Sequence, residues 1–233
     1  VIYKIAIHFM SKQQALIFIC VFACTPMFGI LSWIVTPDVP MMLCWALAVL
    51  FIYKADTENR PIWWGLAGIF TGLAFDSKYT AVFILAGLFI YLIAKPDRWR
   101  RIFSIGILLY ALGFIISIMP VFVWNFQNDW ASISFQTTQR AQWSSFSLKP
   151  QFPVAVMAIQ LFLLLPWLFY YFLKSFRNYK KNNSNYFLVC FSFPMFIFFL
   201  LISLFYWVKI NWMMPAFITG ALLGFQHLSS KQI

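Results

Sequence analysis

Charge is scarce in this chain, and negative charge is scarcer still. Only 10% of its 233 residues are charged, with six Asp and Glu against 17 Lys and Arg, while 63% are apolar. Soluble domains carry about 25% charged residues, so this balance excludes an ordinary water-soluble fold and makes lipid the solvent. The two histidines, His8 and His227, form no HExxH pair, which leaves histidine–metal hydrolysis unsupported. A P-loop, GxGxxG and GxSxG are also missing, so nothing points to nucleotide hydrolysis or to a nucleophile elbow. The four cysteines (Cys20, Cys24, Cys44, Cys190) all fall inside apolar runs, where they behave as small hydrophobes. They suggest neither a disulfide framework nor a zinc site. No internal repeat, low-complexity tract or removable signal peptide is visible.

What remains is aromatic and apolar. Twenty-nine Phe and 11 Trp suit a helix bundle facing acyl chains, with aromatic belts at the headgroups. Apolar runs recur at about 14–35, 39–54, 62–76, 79–94, 102–124, 153–173, 187–207 and 211–228. The chain therefore reads as all-α, a polytopic transmembrane helix bundle of about seven or eight spans. It forms a single transmembrane domain over 1–233, with one long polar loop at about 125–152. Its opening, VIYKIAIHF, reads as the end of an apolar helix, so the chain is expected to be a fragment truncated at its N-terminus.

The net charge of +11 tests the orientation. The cations lie between apolar runs and form no basic groove, which argues for membrane lipid and against nucleic acid as a partner. If the linker 34–39 is outside, 13 of the 17 Lys and Arg fall on one side. The other side keeps only Lys78, Arg140, Lys149 and Lys209. The rule that cytoplasmic loops are positive makes the first side cytoplasmic, His8 and His227 included, and the loop at 125–152 extracytoplasmic.

That orientation isolates a few charges on the outer face at membrane depth, where an ionisable group is costly unless paired, hydrated or bound to a ligand. Asp38, in Thr36-Pro37-Asp38-Val39-Pro40, is held at a helix start; it is either an N-cap or a chemical group. Lys78, in Asp76-Ser77-Lys78-Tyr79-Thr80, is a snorkelling anchor, a partner of Asp76, or an ammonium for a lipid phosphate. The stretch from Trp124 through Asn125, Asp129 and Trp130 to Arg140 and Trp143 mixes aromatic and amide groups that can stack on a sugar and bond its hydroxyls. An interfacial aromatic belt accounts for its tryptophans equally. Lys209-Ile210-Asn211-Trp212 forms a last outer turn, readable as a positive loop tip or as a second cation of the site.

Four motifs then stand in order between apolar spans: TPDVP at 36–40, SKYT at 77–80, WNxxNDWASISFQ at 124–136 and NWxxPA at 211–216. This ordered set resembles the GT-C glycosyltransferases that use polyprenyl-phosphate sugars, in particular the bacterial protein mannosyltransferase and lipid A aminoarabinose transferase superfamily. The resemblance covers nearly the whole chain. It implies an inverting membrane glycosyltransferase of the bacterial inner (plasma) membrane, working at the extracytoplasmic face. The sugar would pass from an undecaprenyl-phosphate donor to a lipid, glycan or protein acceptor. Asp38 matches the family's second acidic residue, near the donor phosphate, and is the catalytic candidate. Lys78, Tyr79, Arg140 and Lys209 are the expected donor phosphate-binding residues. Asn125, Asp129, Trp130 and Asn211 are the expected sugar or acceptor contacts. The family's essential carboxylate belongs to an outer loop expected to precede Val1, so the fragment alone is expected to be inactive. Asp76 departs from the apolar residue expected before SKYT. The cofactor is unknown: a divalent metal is compatible, but a lone Asp38 establishes no metal site. The competing reading is a transporter or flippase of lipid-linked saccharides, whose charges would instead lie near the midplane.

Overall fold

The structure is a computed structural model and describes residues 1–29, 33–34, 36–94, 96–139, 147–178 and 183–229. Among these residues it is helical, without a strand. The helices are α1 (Ile2–Ala6), α2 (Lys12–Ala23), α3 (Pro26–Gly29), α4 (Asp38–Glu58), α5 (Pro61–Ser77), α6 (Val82–Ile93), α7 (Pro96–Trp99) and α8 (Ile105–Gln127). They continue as α9 (Ala131–Ser134), α10 (Gln151–Leu163), α11 (Pro166–Asn178), α12 (Asn183–Cys190), α13 (Phe193–Ile202) and α14 (Ala216–Ser229).

Local chemistry sets many of these boundaries. Ser11 and Gln14 form a reciprocal capping box that starts α2, with Gln14 N–H donating to Ser11 Oγ at 3.3 Å and Ser11 N–H to Gln14 Oε1 at 3.1 Å. Pro61 opens α5, where its missing N–H has no cost. Asn59, left-handed at φ 52, ends α4.

Among the described residues, three helical stretches are long and apolar enough to cross a bilayer: α4, α8 and Asn185–Ile202, which takes in most of α12 and all of α13. The pair α10 and α11 adds a fourth only if counted as one span, and it is bent by 115°. Among the described residues the other apolar runs form shorter helices, so helix length by itself does not confirm the seven or eight spans expected from hydropathy. Backbone breaks account for much of the difference. The run 14–35 is interrupted after Ala23, with Pro26 opening a new short helix, and 153–173 breaks at Leu165 (φ 72) and Pro166.

The alternation of sides is nevertheless built into the contacts. At one end of the bundle His8 packs on Tyr53 with ring centroids 4.9 Å apart, and Gln226 donates to the Phe9 carbonyl at 2.6 Å. At the same end Asp56 pairs with Arg101 and accepts from the Tyr91 hydroxyl at 2.7 Å. Asp38 and Asp56 lie on α4 about 27 Å apart along its axis, close to the thickness of a hydrocarbon core. The linkers carrying Asp38, Lys78, Asn125 and Asn211 all meet at the opposite end.

The most extensive helix pair is α5 with α8. Gly68 lies against Tyr110, and Gly72 against Phe114 and Ser117, so the two helices run in the same direction. Their backbones nearly touch: a Cβ on Gly68 would stand 2.0 Å from the Tyr110 carbonyl oxygen, and one on Gly113 2.6 Å from that of Gly65. Small residues permit such close approach in lipid, where association draws on packing rather than on expulsion of water. The Tyr110 hydroxyl donates to Thr71 Oγ at 2.9 Å and closes the interface. Gly68→Ala is expected to lower the unfolding temperature of the detergent-solubilised protein by several degrees. Gly65→Ala, whose Cβ would meet Leu109 Cβ at an ordinary 3.9 Å, should leave it unchanged or raise it. Equal effects would show that close approach is not what holds the pair.

Candidate functional site

Asp38 is the first residue of α4 and only 7% exposed, yet its side chain makes no capping bond to the helix. Instead it gathers side chains from elsewhere in the chain. Lys78 Nζ donates to Oδ1 at 2.5 Å, Asn211 Nδ2 to Oδ2 at 2.7 Å, and Thr36 Oγ1 to Oδ2 at 3.4 Å. The N-cap reading of Asp38 therefore gives way to an ion pair, and the suggested pairing of Lys78 with Asp76 is not the one formed. Asp76 keeps a buried oxygen, Oδ1, without a hydrogen-bond partner.

Each partner is fixed by its own element. Lys78 ends α5 in extended backbone (φ −163, ψ 127), its N–H still donating to the Ala74 carbonyl. An ammonium has three donors, and the pair with Asp38 uses one. Asn211 sits in the turn before α14, and the buried Gln160 steadies that turn by donating from Nε2 to the Ile210 carbonyl at 3.3 Å. Sequence reasoning passed over Gln160; a lone amide within an otherwise apolar run was the available signal.

A second network begins at the next residue. The Tyr79 hydroxyl lies 2.5 Å from Ser132 Oγ, and Ser132 Oγ donates to Asn125 Oδ1 at 2.7 Å. A serine has one proton, so Tyr79 is the donor to Ser132. Asn125 Nδ2 donates to the Val121 carbonyl at 2.9 Å and to the Tyr79 hydroxyl at 3.4 Å, closing a ring of three side chains. Asn125 is 1% exposed and its amide is fully engaged, so in this arrangement it braces the site rather than facing a sugar. Ser132, which completes the ring, is part of the WNxxNDWASISFQ motif but was given no role in it.

The remaining expected residues are more peripheral. Asp129 and Trp130 are exposed and consecutive in left-handed backbone, with Trp130 edge-on to Phe122. Lys209 is exposed two residues before Asn211. Arg140 and Trp143 lie outside the described residues.

The Asp38 carboxylate reaches an apolar cavity of about 640 Å³ between α2, α4 and α14. Ile19, Phe22, Met42, Leu43, Met214 and Ile218 wall it, and Thr36, Asp38 and Asn211 bring polar groups to it. Among the described residues no three His, Cys, Asp or Glu gather to hold a metal ion. The donors around Asp38, an ammonium and an amide N–H, do not fit one either.

Residues 1–124, just over half of the chain, match the family of dolichyl-phosphate-mannose-protein mannosyltransferases. The chain is also similar to the lipid A galacturonosyltransferase RgtD of Rhizobium johnstonii, with 26% identity over 193 residues. That alignment takes in 80% of this chain and 40% of the relative's length. No solved structure matches.

Removing Lys78 strands a buried carboxylate. Lys78→Met is expected to cost about 3 kcal/mol of stability, and adding Asp38→Asn to recover most of it, because a buried ion pair is worth less than the penalty for breaking it on one side. Thermal or denaturant unfolding in detergent reads both. A double variant no more stable than Lys78→Met would refute the pairing.

Proposed function

Because the chain belongs to the dolichyl-phosphate-mannose-protein mannosyltransferase family, within the GT-C superfamily, we propose that it works as a membrane glycosyltransferase. In this reading its donor is a sugar carried on undecaprenyl phosphate. The acceptor is a lipid, glycan or protein at the extracytoplasmic face of a bacterial inner membrane. One observation carries the reading: Asp38, which holds the Lys78 ammonium, reaches with Thr36 and Asn211 into an otherwise apolar cavity. A phosphate joined to a polyprenyl chain needs that juxtaposition, with a cation for its head and a greasy groove for its tail.

The proposed chemistry follows from charge. As the bond between the anomeric carbon and the phosphate oxygen breaks, negative charge grows on the departing polyprenyl phosphate. A cation already aimed at that oxygen stabilises the transition state without having to reorganise. Lys78 has two N–H donors left for this task. Asp38, with both oxygens accepting hydrogen bonds, holds Lys78 and Asn211 in place. The acceptor oxygen attacks from the opposite face of the sugar, which gives inversion, and loses its proton to a carboxylate in the general-base role. Tyr79, its hydroxyl engaged by Ser132 and Asn125, supports the neighbouring lysine in this reading, and exposed Lys209 can add a second cation.

Transfer is favoured over transport because Asp38, Lys78, Asn125 and Asn211 gather at one end of the bundle, whereas transporters place such groups near the midplane. The Asp38→Asn/Lys78→Met double variant of the full-length protein, which should fold with little loss, is expected to lose transfer from an undecaprenyl-phosphate sugar to background. Wild-type turnover by that variant would sink the role given to Lys78. Movement of a labelled polyprenyl-linked sugar across vesicles without transfer would favour the flippase.

A further inference from the structure

Ser132 touches neither Asp38 nor Lys78, yet two unusual residues serve to place it. Asp129 and Trp130 are consecutive non-glycine residues at φ 50 and 57. L-residues adopt this backbone reluctantly because Cβ crowds the following carbonyl oxygen, and such strain persists only where surrounding contacts hold it. Those contacts are present. Trp130 N–H donates to the Asn125 carbonyl at 2.8 Å, Ala131 N–H to that of Asn128 at 2.9 Å, and the Trp130 ring meets Phe122 at 5.3 Å. The strained turn starts α9 and brings Ser132 back over the end of α8, onto Asn125 and Tyr79.

The geometry points to Ser132 and Asn125 as positioning residues for Lys78 that act through the Tyr79 hydroxyl. Lys78 and Tyr79 are adjacent, and together they bridge the end of α5 and a single 3₁₀ turn, Tyr79–Ala81. On the helical side the Lys78 backbone is tied to Ala74. On the other side the nearest side-chain anchor is Tyr79, whose ring packs on Phe75 at 5.0 Å and whose hydroxyl sits in the three-membered ring. A lysine side chain has four rotatable bonds, so its aim depends on how firmly the backbone beneath it is held. Anchoring Tyr79 supplies that firmness before a ligand arrives, which is preorganisation. Because Ser132 comes from α9, the turn that follows α8 and the phosphate-facing ammonium are seated as one unit.

This inference rests on the reading of Lys78 as the cation of the donor phosphate, and the test separates the two. Undecaprenyl phosphate is titrated into the full-length protein in nanodiscs, alongside unfolding temperatures. Ser132→Ala and Tyr79→Phe are each expected to weaken binding about tenfold, in line with the loss of one well-placed hydrogen bond to a preorganised group. Their combination should weaken it no further, Ser132→Thr should restore most of the loss, and unfolding temperatures should stay near wild type. In the Asp38→Asn/Lys78→Met background Ser132→Ala should change nothing. Wild-type binding by Ser132→Ala, or a loss that Thr does not rescue and that persists without Lys78, overturns the positioning role alone. Wild-type binding by the Asp38→Asn/Lys78→Met protein overturns the donor-phosphate reading itself and this inference with it.

Discussion

A positive and a negative charge at membrane depth cannot be parted cheaply, and the contact between Asp38 and Lys78 organises one whole end of this bundle. The partners are 40 residues apart in sequence, and Asn211, which shares the same carboxylate, is 173 residues from Asp38. Satisfying one carboxylate thus draws the start of α4, the end of α5 and the turn before α14 to one point. Where those elements converge, the cavity between α2, α4 and α14 acquires its polar lining. Burial makes the pair demanding: either partner alone would be an unpaired charge facing hydrocarbon.

The dipeptide Lys78–Tyr79 joins this ion pair to a second, uncharged network. Lys78 faces α4 and the Asn211 turn; Tyr79 faces α8 and α9. Two residues therefore tie together four of the segments that reach this end. In the uncharged ring each hydroxyl both gives and receives, and such cyclic bonding polarises its members in the same sense.

Much of this was legible in the sequence, for physical reasons that also mark where it stopped. The division of the linkers between two ends was readable because Lys and Arg are too costly to bury, and the linkers that converge on Asp38 agree with that division. Asp38 and Lys78 stood out because few charges remained once those assigned to the more positive side were set aside. Their pairing did not stand out: Asp76 is two residues from Lys78 and looked the nearer partner, but tertiary geometry brings Asp38 instead. The bland role for Asp38 failed because its carboxylate turns away from its own helix. Ser132 stood inside the WNxxNDWASISFQ motif without a role, since a serine shows its partners only once the segment is folded back. Hydropathy could not fix how the apolar runs divide into helices, because it reads apolar content and not backbone continuity. The prolines at 26 and 166 were visible, whereas the left-handed Leu165 beside Pro166 could not be read from composition.

The contact between α5 and α8 divides the surface of α8 into two regimes. Its outward face, with Leu112, Ile115, Ile116 and Met119 exposed, meets fluid chains that conform to any greasy shape. Its inward face meets a backbone at a distance that admits a hydrogen atom at Gly113 and nothing larger. Drift in this helix over time should therefore be lopsided. Substitutions should accumulate freely along one stripe and be nearly forbidden along the other, leaving a helical rhythm of tolerance that hydropathy, uniformly high around the circumference, would never reveal.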